Sequence, residues 1–225
     1  MQVRNPETRW DWNEIEVDTI DFPPGFQWGV ATSSHQVEGN CNNNWSRWEA
    51  SFKADGTPRI HNGDRSIVAC DHWNRYKEDI ELIKALGVSV YRFSVEWSKI
   101  EPEAGHFDES AIQHYRDVCL ALKAAGITPV VTLHHFTNPL WFEDMGAFEN
   151  EANIRYFVRF SLRVFDSLKD HVAIWCTINE PAVYISQGYF NGVWPPGKQD
   201  PQLAGEVMKN LLVAHTRVYE ALKSR

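Results

Sequence analysis

A carboxyl side chain directly follows an apolar run of the sequence, in a position suited to proton transfer. The run at 172–178 is nearly all apolar, and Asn179, Glu180 and Pro181 come directly after it. If the run is a strand that is covered on both faces, the low dielectric at its end can raise the pKa of Glu180 into the range that a general acid needs. The same tripeptide is also compatible with a simple turn that starts a helix, so two interpretations remain open at this point.

One reaction that needs such an acid is the hydrolysis of a glycosidic bond. The acid protonates the leaving oxygen, and retaining enzymes place a second carboxylate about 5 Å away as the nucleophile. Asn179, beside Glu180, offers an amide that can donate a hydrogen bond to a sugar 2-hydroxyl, a contact that can strengthen in the transition state. The segment therefore has the residue types that sugar chemistry would use.

Polar side chains also follow two earlier apolar runs. Gln36 comes after the run at 26–32, and His134 and His135 end the run at 128–135. Neighbouring residues of a strand face opposite sides, so only one of the two histidines can point at a common site. This disfavours a two-histidine metal site, and the sequence has neither metal-ligand spacing nor a dinucleotide-binding glycine pattern. We expect no metal and no cofactor.

The composition indicates a folded domain that acts on a neutral ligand. The 225 residues are 43% hydrophobic and 23% charged, which is near the averages of globular proteins and sufficient for a sizeable core. A net charge of -8 disfavours nucleic acid and anionic membrane surfaces as partners. Residues 1–18 contain no apolar run typical of a signal peptide or a membrane span, and the four scattered cysteines do not form a secreted disulfide framework. We expect a cytoplasmic protein.

The elements that would position these side chains alternate between short β-rich runs and longer amphipathic segments. This pattern predicts consecutive βα units around a parallel sheet. Asp71 is the predicted N-cap of the first helix, Leu86 belongs to its apolar face, and Gly87 and Gly126 end the first and second helices. A polar stretch at 38–68 is too long for an ordinary connection and is expected to be a functional loop. The predicted strands are 26–32, 88–95, 128–135 and 172–178, and the predicted helices are 71–86, 108–125, 154–168 and about 203–222.

Four longer motifs are informative because they occur together and in a particular order. They are FQWGVATSSHQVEG at 26–39, YRFSVEWSKI at 91–100, TLHHF at 132–136 and TINEP at 177–181. With these motifs the chain resembles glycoside hydrolase family 1 from about residue 21 to residue 222, and the combination is highly specific to that family.

The resemblance implies a fold, a reaction and a set of site residues. The fold is an α/β (β/α)8 barrel of the TIM-barrel type, of which only the first four βα units are present, with residues 1–225 as the N-terminal half of one glycosidase domain and 1–20 as an extension. The implied reaction is that of a retaining β-glycosidase on a β-glucoside-like glycoside or short oligosaccharide, with Glu180 as general acid/base. Arg92 would lie beside the nucleophile or form an internal ion pair that holds the barrel, and the two roles are compatible. The implied sugar-binding residues are Gln36, His135 and Asn179.

Some residues depart from the family pattern. Phe136 stands where Trp is usual, the pair at 137–138 replaces a more typical Asp-Leu, and His35 stands where an aromatic residue is common. We interpret His35 as a hydrogen-bonded histidine at the mouth of the site and Glu96 as a structural residue. Three tryptophans either line the entrance or pack in the interior, namely Trp45, Trp48 and Trp194.

The largest departure is that the family's nucleophile motif, Glu-Asn-Gly on the seventh strand, does not occur in this sequence. A four-strand half-barrel would also leave the outer edges of its first and fourth strands unpaired. We therefore expect the chain to pair with a complementary C-terminal half, to associate with itself, or to be a truncated fragment. An unpaired chain would be a catalytically inactive sugar-binding or assembly module.

Overall fold

The computed structural model of the chain describes residues 22–225, and its centre is a four-stranded parallel sheet. The strands are β1 (Gly29–Ala31), β2 (Val90–Ser94), β3 (Thr128–His134) and β4 (Ile174–Ile178). Each strand pairs with the next one in the sequence, and the register places Arg92 beside Ala31 and Val130, and Thr132 beside Cys176. Because the strands are parallel, their carboxyl ends all lie along one edge of the sheet.

Long helices alternate with the strands, and shorter helices follow the strand ends. In chain order they are α1 (Ser34–Val37), α2 (Asn44–Glu49), α3 (His72–Ala85), α4 (Trp97–Ile100), α5 (Glu109–Ala124), α6 (Leu140–Asp144), α7 (Ile154–Leu168), α8 (Pro181–Ile185) and α9 (Pro201–Lys223). A π-helical turn, Ser186–Phe190, follows α8. Within residues 22–225, no helix combines the length and the apolar character that crossing a membrane requires.

The predicted strands and helices are all present, and most differ from the prediction only at their ends. The third predicted helix matches α7 at both ends. The first strand is much shorter than predicted because only 29–31 pair with β2. The extension predicted at residues 1–20 lies outside the described residues.

The ends of the helices follow signals that the sequence contains. Asp108 Oδ1 accepts hydrogen bonds from the backbone N–H groups of Ser110 (2.8 Å) and Ala111 (3.3 Å), a cap that contributes about 1 kcal/mol. Gly87 and Gly126 have φ angles of +73° and +76°, a left-handed conformation that glycine adopts without the penalty of a Cβ atom. Both predicted helix stops are therefore confirmed.

Two details of the first predicted helix are wrong. Asp71 precedes α3 in a left-handed conformation (φ 55°), and its side chain does not cap the helix. It instead accepts a hydrogen bond from Asn74 Nδ2 at 2.7 Å. Leu86 is 67% exposed, and Leu82, one turn earlier in α3, is 66% exposed, so both lie on the solvent side of the helix.

The core lies between the sheet and the helices that follow its strands. The predicted apolar face of α5 is buried, and α7 and α9 contribute further buried side chains. Each large apolar side chain removed from water contributes about 1.5–3 kcal/mol, so this packing fixes the strand positions. The face of α5 consists of Ile112, Tyr115, Cys119 and Leu122.

Strand β4 is only partly buried, and the prediction that it is covered on both faces is wrong for the part of the chain that the structure describes. Ile174 is 50% exposed, because β4 has β3 on one side and no strand beyond it within residues 22–225. Apolar side chains of β4 are therefore partly accessible to solvent. A second exposed apolar cluster precedes β1, with ring centroids 4.8–5.0 Å apart, and consists of Phe22, Phe26 and Trp28.

Candidate functional site

The predicted site residues lie towards the carboxyl ends of the strands. Arg92 belongs to β2, His135 directly follows β3, and Asn179 and Glu180 directly follow β4. Gln36 belongs to α1, which follows β1. In barrel-type folds the reactive side chains project from this edge of the sheet, so the fold gives all five residues a common location.

Asn179 links side chains from three neighbouring strands, and it is only 5% exposed. Its Oδ1 atom accepts a hydrogen bond from Arg92 Nη2 at 2.6 Å, and its Nδ2 atom donates to His135 Nε2 at 3.3 Å. Its backbone N–H also donates to the carbonyl of His134 at 2.9 Å. Because a guanidinium group can only donate, Arg92 fixes the orientation of the amide and directs its nitrogen towards His135.

His135 is a neutral imidazole in this arrangement. Burial, together with the nearby charge of Arg92, lowers the pKa of His135 to about 4. Since Asn179 donates to Nε2, the single proton lies on Nδ1. Nδ1 has no hydrogen-bond partner within residues 22–225, so the N–H group remains a donor for a ligand hydroxyl.

The neighbouring histidine faces away from this site, as the strand alternation predicts. His134 is buried, and its Nε2 atom lies 3.0 Å from Asn138 Oδ1. Burial lowers its pKa to about 4 as well. Among the residues that the structure describes, no three His, Cys, Asp or Glu side chains are grouped so as to hold a metal ion.

Arg92 is held by neutral acceptors. Its Nε atom donates to Thr132 Oγ1 at 2.8 Å, and Nη2 donates to Asn179 and makes a longer contact of 3.6 Å with Cys176 Sγ. The internal ion pair that was expected as one role of Arg92 is not present within residues 22–225. A half-buried guanidinium without a carboxylate favours a negative group nearby.

Glu180 adopts a strained backbone conformation at the start of a helix. Its φ and ψ angles are 41° and 60°, and Pro181 is the first residue of α8. The turn interpretation of Asn-Glu-Pro therefore describes the local backbone correctly. The side chain of Glu180 is exposed, so the expected low-dielectric surroundings are not supplied by residues 22–225. The reason is the position of Glu180 beyond the outermost strand of the sheet.

Gln36 and His135 line one cavity of about 280 Å³ together with an aromatic wall. This size approaches the lower end of ligand pockets, about 300–1,000 Å³. We call this space the sugar cavity. The aromatic wall consists of Trp45, Phe136 and Trp194, whose neighbouring ring centroids are 5.2–5.3 Å apart.

The structure shows which of the three tryptophans line the entrance and which one packs in the interior. Trp45 and Trp194 line the sugar cavity, whereas Trp48 does not. Trp48 is buried, lies under the Arg59 guanidinium at 4.0 Å from its ring centroid, and lines a separate cavity on the other side of α2. The entrance interpretation is therefore wrong for Trp48, whose ring packs against the Arg59 guanidinium and does not line the sugar cavity.

The interpretations of His35 as a hydrogen-bonded histidine and of Glu96 as a structural residue are confirmed. His35 contacts Glu49, Asn43 and Ser66. Glu96 is fully buried and accepts hydrogen bonds from Ser34 Oγ, Asn43 Nδ2 and Ser98 Oγ. Glu49 and Ser66 were not predicted as individual residues, although both lie in the 38–68 stretch that is expected to be a functional loop.

The chain is similar to known proteins over nearly all of its length. The model of the family "Glycosyl hydrolase family 1" matches residues 18–225. Beta-glucosidase A of Thermotoga maritima is 39% identical over 206 residues, which are 90% of this chain and 46% of that protein. The chain thus spans about half the length of the curated relatives it matches.

Solved structures show the same relation. A β-glycosidase from Pyrococcus horikoshii is 42% identical and superimposes with a TM-score of 0.81 over 90% of this chain and 46% of its own. A β-glucosidase from Thermotoga maritima, solved in complex with methoxycarbonyl-substituted glucoimidazole, is 37% identical with a TM-score of 0.85 over 90% and 47%. The predicted fold class, four βα units of a (β/α)8 barrel, is confirmed.

Proposed function

The chain belongs to glycosyl hydrolase family 1, and from this premise we propose that it supplies the sugar-binding wall and the acid/base residue of a retaining β-glycosidase. The substrate class is a β-glucoside or a short β-linked oligosaccharide. The relatives named above are β-glucosidases and a β-glycosidase, and the neutral character of such sugars suits a chain with a net charge of -8.

The observation that carries this proposal is the position of Asn179 between Arg92 and His135. Three neighbouring strands contribute to one preorganised set of donors directly before Glu180. Preorganised donors need no rearrangement when charge develops in the reaction. Asn179 and His135 would bind hydroxyl groups of the sugar on the non-reducing side of the scissile bond, and Gln36 would do so from the wall of the sugar cavity.

Glu180 would act twice in the reaction. In the first step its carboxylic acid protonates the leaving glycosidic oxygen while a second carboxylate attacks the anomeric carbon and forms a glycosyl-enzyme. In the second step the resulting Glu180 carboxylate takes a proton from water, whose oxygen displaces the enzyme carboxylate and releases the sugar.

The second carboxylate would come from outside the residues described here. Arg92 has no carboxylate partner within residues 22–225, and the sequence lacks the Glu-Asn-Gly motif. The outer edges of β1 and β4 are also unpaired within this range. A complementary C-terminal half that pairs with these edges would supply the second carboxylate, whereas self-association of the chain would cover the edges without supplying the Glu-Asn-Gly motif. Glu96 is a poor substitute because it is buried and its oxygens already accept several hydrogen bonds.

The test is hydrolysis of p-nitrophenyl β-glucoside by the purified chain and by Glu180→Gln, with intact mass recorded for any copurifying polypeptide. The proposal predicts hydrolysis when the chain is purified together with a polypeptide that supplies the second carboxylate. In that preparation Glu180→Gln should reduce the rate of hydrolysis about 10²–10⁴-fold because general acid catalysis is lost. Activity that survives this substitution would contradict the role of Glu180.

A second candidate function is sugar binding or assembly without hydrolysis. The exposure of Glu180 and of Ile174 in β4 favours it for the chain in isolation. Binding of glucose by a single folded 26 kDa species that hydrolyses nothing would support this function.

A further inference from the structure

The sugar cavity has a second wall whose chemistry differs from that of the aromatic wall. It consists of His35, Glu49 and Ser66, which line the cavity together with Gln36 and His135. We call these three residues the acidic wall. His35 belongs to α1, Glu49 is the last residue of α2, and Ser66 lies in the long connection before α3.

Glu49 is the centre of the acidic wall. Its Oε1 atom accepts a hydrogen bond from His35 Nε2 at 2.9 Å, and Oε2 accepts from the backbone N–H (3.0 Å) and the hydroxyl (2.9 Å) of Ser66. Asn43 Nδ2 donates to His35 Nδ1 at 3.3 Å. Since Asn43 donates to Nδ1, we place the proton that Glu49 accepts on the Nε2 atom of His35.

Glu49 carries a negative charge at neutral pH. Burial opposes its ionisation, but the hydrogen bonds from Ser66 and His35 outweigh burial and hold the pKa of Glu49 below its usual value. No Lys or Arg side chain within residues 22–225 forms an ion pair with Glu49, whose only charge-type contact is the one to His35. The side chain is 11% exposed, so the charge is only partly screened by solvent.

We propose that Glu49 is a specificity-determining residue of the sugar cavity, and that the acidic wall favours sugars with a cationic amine over neutral sugars and over sugar phosphates. This inference rests on the proposed function, because it takes the cavity lined by Gln36 and His135 as the sugar site. A fixed charge in a cavity with low-dielectric aromatic walls attracts a ligand cation and repels a ligand anion. A neutral sugar remains acceptable because a carboxylate can accept hydrogen bonds from hydroxyl groups.

The experiment is isothermal titration of the full chain with glucosamine, glucose and glucose 6-phosphate at about pH 7, where an amine is mainly protonated. The wild-type chain should bind them in that order of affinity, with steps of about two- to fivefold, the size of a partly screened charge pair. The steps should shrink at about 1 M salt, where the Debye length falls to about 3 Å.

Matched variants locate the source of this selectivity. Glu49→Gln should make the affinities for glucosamine and glucose equal. Glu81→Gln makes the same chemical change on the outer face of α3, where the side chain is 69% exposed, and should leave the order unchanged. Ser66→Ala keeps the charge of Glu49 and should also keep the order.

The outcomes separate the inference from the function on which it rests. Equal binding of the three ligands by the wild-type chain, or an order that survives both high salt and Glu49→Gln, would overturn the inference and leave sugar binding established. Absence of binding for every sugar would overturn the proposed function and the inference together. If Glu49→Gln does not fold, the salt series on the wild-type chain decides between these results.

Discussion

Asn179 and Glu180 are neighbours in the sequence but lie in different environments. Asn179 is buried and held by Arg92 and His135, whereas Glu180 is exposed in a left-handed turn and its side chain has no hydrogen bond within residues 22–225. The sugar-binding side of the site is therefore organised by interactions inside this chain, and the reacting carboxyl group is not. Substitutions at these two positions should separate stability from catalysis.

The largest expected effect on stability is that of Asn179→Leu. Removal of the amide leaves the half-buried Arg92 guanidinium without its 2.6 Å acceptor, and we expect a loss of about 2–3 kcal/mol in the free energy of unfolding. Urea denaturation measures it. Asn179→Asp keeps an acceptor for Arg92 and should lose less than about 1 kcal/mol. A loss below about 0.5 kcal/mol for Asn179→Leu would show that Asn179 does not hold the strands together.

The next effect is a dependence of stability on pH that His135 causes. Its pKa is about 4 in the folded chain and near 6.5 when unfolded. Between these values the unfolded state binds more protons, so this contribution to stability is complete above about pH 6.5 and is lost as the pH falls to about 4. His135→Gln should reduce the acid-induced loss by on the order of 1–2 kcal/mol, a value discounted for partial exposure.

Urea denaturation at several pH values tests this expectation. His134 has a lowered pKa too, so part of the acid sensitivity should remain in His135→Gln. His106→Gln makes the same chemical change at a side chain that is 83% exposed and provides the control. The same pH dependence in wild type and His135→Gln would contradict the neutral, buried state of His135.

The smallest effects are expected at Glu180. Glycine adopts a φ of 41° without strain, so Glu180→Gly should raise the free energy of unfolding by about 0.5–1 kcal/mol. Glu180→Gln, which keeps the strain, should change it by less than about 0.5 kcal/mol. Thermal unfolding measures both variants. A destabilisation above about 1 kcal/mol in either variant would mean that the carboxylate has a structural contact.

The sequence predicts the long elements well because their signals are local. The apolar spacing and the cap residues of α5 specify its face and its ends, and the third predicted helix coincides with α7. Helices of four to six residues, such as α1, α2 and α8, are too short to show a helical period. Neither α1 nor α2 could therefore be predicted, and for α8 only a helix start after Glu180 was one of two open interpretations.

The site is only partly predictable for a related reason. Parallel strands bring residues at their carboxyl ends together, so the proximity of Arg92, His135 and Asn179 follows from the strand pattern. The apolar composition of β4 shows that the strand can be buried, but it does not show what covers it. The exposure of Glu180 therefore could not be read from the sequence. The contacts of Glu49 with His35 and Ser66 join residues that are 14 and 17 positions apart in the sequence and have no local signal.

The most direct test of the role of Glu180 uses two β-glucosides that differ only in their leaving group, 2,4-dinitrophenol and p-nitrophenol. Both are measured with wild type and Glu180→Gln, in the preparation that hydrolyses p-nitrophenyl β-glucoside. An acidic leaving group departs without protonation, so we predict that formation of the glycosyl-enzyme slows far less for the dinitrophenyl substrate than for the p-nitrophenyl substrate. An equal loss for both substrates would contradict the assignment of Glu180 as the general acid.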